Sequence, residues 1–196
     1  MKRTMNQIII TILKWHEVNF VAKKILIVVD MQNDFISGVL GSDYASRIVL
    51  PSVVDKVKKA NEEGDYVIFT ADTHNPYDYR KTVESVLPEH CMFATEGWRI
   101  NEELGEIMNS SPLIQTKPSF GFIGWKDLIG PLVQDDTVIE VVGLCTDICV
   151  VSNALILRST FPKNRVVVDS ACCGGTSKEA HDAALTVMKS CFIEVV

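Results

Sequence analysis

A chain of 196 residues with 47% hydrophobic content is long enough to bury one large core. A formal net charge of −6 argues against nucleic acid as a partner, and the one basic run, Lys56-Val57-Lys58-Lys59, is no more than a solvated helix face. Six cysteines (91, 145, 149, 172, 173 and 191) form no C-x-x-C pair, which fits free thiols in a reducing cytoplasm better than a secreted disulfide framework.

The chain opens with Met1-Lys2-Arg3 ahead of a short apolar run at 8–13. This run resembles a signal peptide only in outline: Lys14 and His16 follow at once, no small-residue cleavage site appears, and it is too short to span a membrane. The expectation is an N-terminal extension over 1–22 outside the fold, with no function assigned, and a single domain over 23–196. Translation starting near Val21 would account for the extension.

From residue 25 onward, apolar strand-like runs alternate with helical patterns. Strands are expected over 25–29, 66–70, 113–116, 137–142, 165–168 and 192–196. Helices are expected over 47–63 (closed by Gly64), 101–108, 148–157 and 177–189. This alternation specifies an α/β fold with three layers, α/β/α, around a mostly parallel six-stranded sheet. Residues 71–98 read as an irregular stretch, and a connection of that length in a compact domain points to function.

The polar residues gather after the strands, where ligands bind in such sheets. Asp30 follows the first strand, Asp72 and His74 the second, and Lys117 the third. Beyond the fourth comes Gly143-Leu144-Cys145-Thr146-Asp147-Ile148-Cys149-Val150, with Thr146 or Asp147 as N-cap. A cysteine in the first turn of a helix meets the positive end of the dipole, which favours thiolate. Taken alone, a buried cysteine serving as a small hydrophobe has equal weight. Cysteine, carboxylate and lysine together suit acyl transfer. The carboxylate moves the proton, the lysine orients the pair, and backbone N–H groups of Cys145 and Cys149 serve the oxyanion.

Asp72-Thr73-His74 places alternate side chains on one side of an extended segment. His90 could close a ligand set, with Glu84 as a further candidate. Imidazole plus carboxylate suits zinc, manganese or iron. Surface histidines on a loop are the simpler alternative, and His16 and His181 are read as such.

Asp30-Met31-Gln32-Asn33-Asp34-Phe35, Lys117 and the segment from Gly143 to Val150 together resemble the isochorismatase-like cysteine hydrolases, over nearly everything from Lys23 to Val196. The resemblance implies a triad of Asp30, Lys117 and Cys149, and a cis peptide at Leu144-Cys145. Asp72-Thr73-His74 and Pro88-Glu89-His90-Cys91 resemble the metal motif of the nicotinamidase branch, which implies Asp72, His74 and His90 as ligands and Glu84 as a fourth. It also implies a divalent ion, with zinc ahead of manganese or iron.

Phe35 resembles the aromatic that packs on the nicotinamide ring. Leu87 stands where nicotinamidases commonly carry an aromatic residue, so Phe120 or Phe122 could supply that wall. The implied function is hydrolysis of nicotinamide to nicotinate and ammonia through a cysteine thioester, in NAD salvage. The chain would then be a cytoplasmic homo-oligomer acting on a small amide, with no nucleic-acid or membrane partner. The alternatives are a related hydrolase acting on another small amide or on isochorismate, and, further off, a non-catalytic protein retaining the fold.

Overall fold

The computed structural model describes residues 22–108 and 112–196. Residues 1–21, including His16 and Val21, lie outside the described residues. Ala22 does not stand apart from the domain. Its side chain is buried in a core, and its carbonyl accepts from Thr137 Oγ1 at 2.7 Å.

Six strands form one sheet in the order β3-β2-β1-β4-β5-β6: β1 (Lys24–Val29), β2 (Tyr66–Asp72), β3 (Leu113–Lys117), β4 (Val138–Leu144), β5 (Arg165–Gly174) and β6 (Glu194–Val195). Every neighbouring pair is parallel. Side chains alternate along a strand, so β1 feeds both faces. Ile25, Ile27 and Val29 enter one apolar core and Leu26 and Val28 the other. The first core is covered by α5 (Trp125–Ile129), α6 (Val151–Thr160) and α7 (Lys178–Ser190). The second is covered chiefly by α2 (Leu50–Glu63), with α1 (Asn33–Ile36) and α4 (Glu102–Gly105) beside it. The three-layer α/β/α arrangement follows from a sheet that is apolar on both sides.

Several elements differ from the sequence expectation. The stretch over 71–98 holds α3 (Pro76–Tyr79) and a 3₁₀ turn at Val83–Val86. The helix expected over 101–108 is regular only across α4, capped by the Asn101 side chain on Glu103 N–H at 3.1 Å. β5 runs six residues past the 168 expected as its end, and only two residues of the expected last strand pair. Both α2 and α6 are entered through π-helical turns, Ala45–Val49 and Thr146–Val150.

β1 and β4 are neighbours at the point where the strand order reverses. The carboxyl ends of β1, β2, β3 and β4 therefore open on one crevice, between the two halves of the sheet.

Candidate active site

Lys117, the last residue of β3, is almost completely buried and sits at the centre of the crevice. Its Nζ lies 2.6 Å from Asp30 Oδ2, 3.1 Å from the Ser119 carbonyl, 3.7 Å from Cys149 Sγ and 3.8 Å from Asp72 Oδ1. Burial alone would release its proton, but the charges of Asp30 and Asp72 outweigh that and raise its pKa.

Asp30 has a positive φ of 49° immediately after β1, which turns its carboxylate back into the crevice. Thr70 Oγ1 donates to Asp30 Oδ1 at 2.6 Å, and Asp30 N–H is held by the Thr70 carbonyl at 3.3 Å. Burial pushes the Asp30 pKa up, with Lys117 opposing.

Cys149 lies in the π-helical turn after β4, closed by Val150 N–H on the Cys145 carbonyl at 3.0 Å. Such turns recur at functional sites. The peptide Leu144-Cys145 is cis, as the resemblance implies. No side chain caps this turn: Asp147, one of the two expected caps, instead accepts from Thr176 N–H and Oγ1 at 2.8 and 2.6 Å. Burial works against the thiolate expected at this place. Burial, then the Asp30 charge, push the Cys149 pKa well above its usual value, and Lys117 offsets only part of this. Cys149 is therefore a neutral thiol beside a carboxylate that can take its proton. Cys145 is likewise held protonated, its pKa pushed up to about 12 by burial and Asp147.

On the other side of Asp72 lies a group of four buried residues. One ligand atom from each of Asp72, His74, Glu84 and His90 lies within 4.8 Å of the others. His74 Nε2 is 3.0 Å from Asp72 Oδ2 and 3.4 Å from Glu84 Oε2, and His90 Nε2 is 3.6 Å from Asp72 Oδ2. His90 Nδ1 meets the Pro88 carbonyl at 2.8 Å. A carbonyl only accepts, so Nδ1 carries the proton and Nε2 keeps its lone pair toward the group.

Two further observations fit a cation here. Asp72 Oδ1 and Glu84 Oε2 are buried without a hydrogen-bond donor among the described residues. The buried set contains Asp30, Asp72 and Glu84 against Lys117 alone, which leaves two negative charges to be balanced when the histidines are neutral. A divalent ion has that charge, and imidazole plus carboxylate is a donor set it accepts.

A cavity of about 320 Å³ opens on both halves of the site, with Cys149 and Cys145 at one side and Asp72 and His90 at the other. Phe35, Leu87 and Phe120 line it, as expected, and so do Leu40, Tyr44 and Ile148. Phe122 does not. It packs edge-on against Trp125 at 5.2 Å in the α5–α6 core, and its N–H is held by Asn153 Oδ1. The chain turns at Gly121, which sends successive aromatic side chains to different surroundings.

The residues after Asp30 do more than the sequence indicates. Gln32 clamps Asp72, donating to its carbonyl at 2.9 Å and accepting from its N–H at 2.7 Å, and also donates to the Trp98 carbonyl. Asp34 Oδ2 accepts from Cys91 N–H at 2.7 Å, next to His90. His181, read as a surface residue, is half-buried and shares a 2.8 Å hydrogen bond with Thr146 Oγ1 in the turn that carries Cys149. Only tertiary contact reveals these roles, because neither Gln nor a lone His stands out in sequence.

Residues 24–196 match the Isochorismatase domain family. The nicotinamidase of Schizosaccharomyces pombe is 27% identical over 205 residues, covering 87% of this chain and 91% of that protein. Among solved structures, nicotinamidase PncA from Bacillus subtilis superposes with a TM-score of 0.77 at 25% identity, covering 89% of this chain and 99% of that one. The pyrazinamidase of Pyrococcus horikoshii in complex with zinc gives 0.72 at 26% identity, over 89% and 98%. The chain belongs to the isochorismatase family.

Proposed function

We propose that this amidohydrolase converts nicotinamide to nicotinate and ammonia, with Cys149 as nucleophile, Asp30 as proton carrier and Lys117 as the group that holds them together. The observation that carries the reading is the shared cavity: the thiol of Cys149 and the Asp72–His90 edge of the metal-binding group face the same space of about 320 Å³. An amide on a nitrogen-bearing ring has a carbonyl for one side and a lone pair for the other. Relatives with the names nicotinamidase and pyrazinamidase support the same substrate class.

Phe35, Leu87 and Phe120 supply the apolar walls of the cavity. Asp30 removes the Cys149 proton as Sγ bonds to the amide carbon, so charge moves from carboxylate to substrate oxygen within a water-poor crevice. Backbone N–H groups of Cys145 and Cys149 receive that oxyanion. Asp30 then passes its proton to the leaving nitrogen as the C–N bond breaks, which frees ammonia and leaves a thioester. Asp30 next removes a proton from water as it attacks, and nicotinate departs while Cys149 regains a proton. Lys117 keeps its charge throughout and fixes Asp30 at 2.6 Å. Asp72, His74, Glu84 and His90 would hold a divalent ion, zinc foremost, which when bound supplies a Lewis acid for the ring nitrogen.

Ammonia release from a panel of small amides tests the reading, with metal content measured on the same sample. Nicotinamide is expected to be the best substrate, and Cys149→Ala to release no ammonia while folding and retaining metal. Near-normal turnover by that variant defeats the assignment. Preference for an amide without a ring nitrogen, insensitive to chelator, would favour the related small-amide hydrolase instead.

A further inference from the structure

The four residues that would hold the ion come from two limbs of chain with unequal support. Asp72 ends a central strand and is clamped by Gln32, and His74 is tied by its N–H to the Cys91 carbonyl at 3.0 Å. Glu84 and His90 lie on the far limb. There, Cys91 N–H on Asp34 holds the chain just after His90, whereas the backbone bonds at Glu84, such as Leu87 N–H on the Glu84 carbonyl at 2.9 Å, stay within the loop. Between them the loop has little apolar burial to set its path. Tyr77, Val83 and Val86 are 83%, 86% and 87% exposed, and of residues 75–89 only Tyr79 and Glu84 are buried.

Tyr79 fills the gap. Its hydroxyl lies 2.7 Å from the Glu84 carbonyl and 3.1 Å from those of Leu87 and Pro88. The Pro88 carbonyl is the same oxygen that accepts from His90 Nδ1 and so fixes the tautomer of that ring. The Tyr79 ring packs on both imidazoles, with centroids 4.9 Å from His74 and 5.5 Å from His90. One side chain thus touches both limbs and addresses the backbone of the loop where Glu84 and His90 arise.

We infer that Tyr79 is a positioning residue for the divalent-ion site: its ring spaces His74 from His90, and its hydroxyl gathers the loop so that Glu84 and His90 face Asp72. This rests on the reading of the four residues as a metal site. Groups that orient ligands in this way change metal affinity by about 10–100-fold when removed.

Tyr79→Phe keeps the ring and removes the hydroxyl. Zinc affinity by chelator competition is expected to fall about 10–100-fold, and the visible spectrum of the cobalt-loaded protein to change. The metal-free protein should still unfold cooperatively. In a Glu84→Gln background, the same substitution should have a smaller effect, because placing Glu84 is part of what the hydroxyl does. Wild-type zinc affinity in Tyr79→Phe overturns the inference, as does full additivity with Glu84→Gln. Loss of cooperative unfolding in metal-free Tyr79→Phe would make Tyr79 a residue of the fold and also overturn it. Failure of the unsubstituted protein to bind zinc, manganese or iron would instead remove the metal reading, and this inference with it.

Discussion

Lys117 is the residue on which the proposed chemistry depends most, because its buried ammonium offsets the charges of Asp30 and Asp72. Removing one partner of a buried ion pair leaves an uncompensated charge and typically costs about 3–5 kcal/mol. Lys117→Met should therefore lower unfolding free energy by about that amount in a denaturant titration, and abolish turnover. The electrostatics also set a pH signature. Burial raises the Asp30 pKa above its ordinary 3.8 while Lys117 opposes the rise. In the proposed mechanism the ionised form of Asp30 is the active one, so kcat/KM should climb with pH on an acid limb lying above that value. The Cys149 pKa lies far higher, so ionisation of the thiol does not shape that limb. The stability linkage of Asp30 has the opposite sense to its catalytic role. A group whose pKa is raised in the folded state contributes stability at low pH and loses it as pH rises through the raised value. Asp72 works the other way: burial pushes it up, but the hydrogen bond with His74 and the Lys117 charge hold it well below the usual range. Its contribution is present above 3.8 and lost on acidification below it. An acid limb at the ordinary carboxylate value in the pH profile of kcat/KM would exclude Asp30 as the proton carrier.

Elements with a strong period were readable from sequence, and those built by tertiary contact were not. The apolar β-branched runs of β1, β2 and β4 reveal themselves because burial on both faces demands them. The second half of β5, Asp-Ser-Ala-Cys-Cys-Gly, carries no such pattern, yet it is a strand because β4 offers it partners. Past an irregularity between Val141 and Gly143, Gly143 pairs with Cys173 and Leu144 with Gly174. That Asp30, Lys117, Cys149, Asp72, His74 and His90 come together was legible because each sits at a strand end or in a motif; Glu84, in the 3₁₀ turn, has no such marker. Tyr79 and Gln32 were not legible, since their roles lie in what they touch. The same segment supplies a test of how the nucleophile turn is launched. Gly143 has φ +119°, and a Cβ there would lie 2.1 Å from the Val29 carbonyl, on the strand that carries Asp30. No flexible side chain can move aside, so Gly143→Ala must displace β1 or β4. A loss of about 3 kcal/mol or more is expected, with ammonia release reduced even in the fraction that folds. Unfolding that matches the parent protein would mean the two strands can separate at this point without consequence.

At the scale of the molecule, the strand order brings the ends of β1, β2, β3 and β4 to one crevice, so that one sheet aligns Asp30, Lys117 and Cys149 with Asp72. No helix among the described residues is long and apolar enough to cross a membrane, and the order in the crevice derives from the sheet and its two covering layers. In the proposed reading, that arrangement couples a bound ion to the stability of the whole domain. Asp72 belongs to β2 and is clamped to the segment after β1, while His90 is packed edge-on against Phe35 at 5.6 Å. An ion bound only by the folded chain stabilises it by about 2.7 kcal/mol when present at 100 times its dissociation constant. For a domain of this size that corresponds to a rise of roughly 5–10 °C in Tm. Thermal unfolding with excess chelator, then with zinc restored, should show a shift of that order. His90→Ala should abolish the response, because the chain then offers one imidazole fewer and the remaining carboxylates face one another without an ion between them. The repulsion among Asp30, Asp72 and Glu84 predicts a further result. The metal-free protein should gain stability as Glu84, whose pKa is raised by burial and by Asp72, takes up a proton on mild acidification. The zinc-loaded protein should show no such gain, because the ion requires Glu84 ionised. Identical pH dependence of Tm in the two forms would place the ion elsewhere.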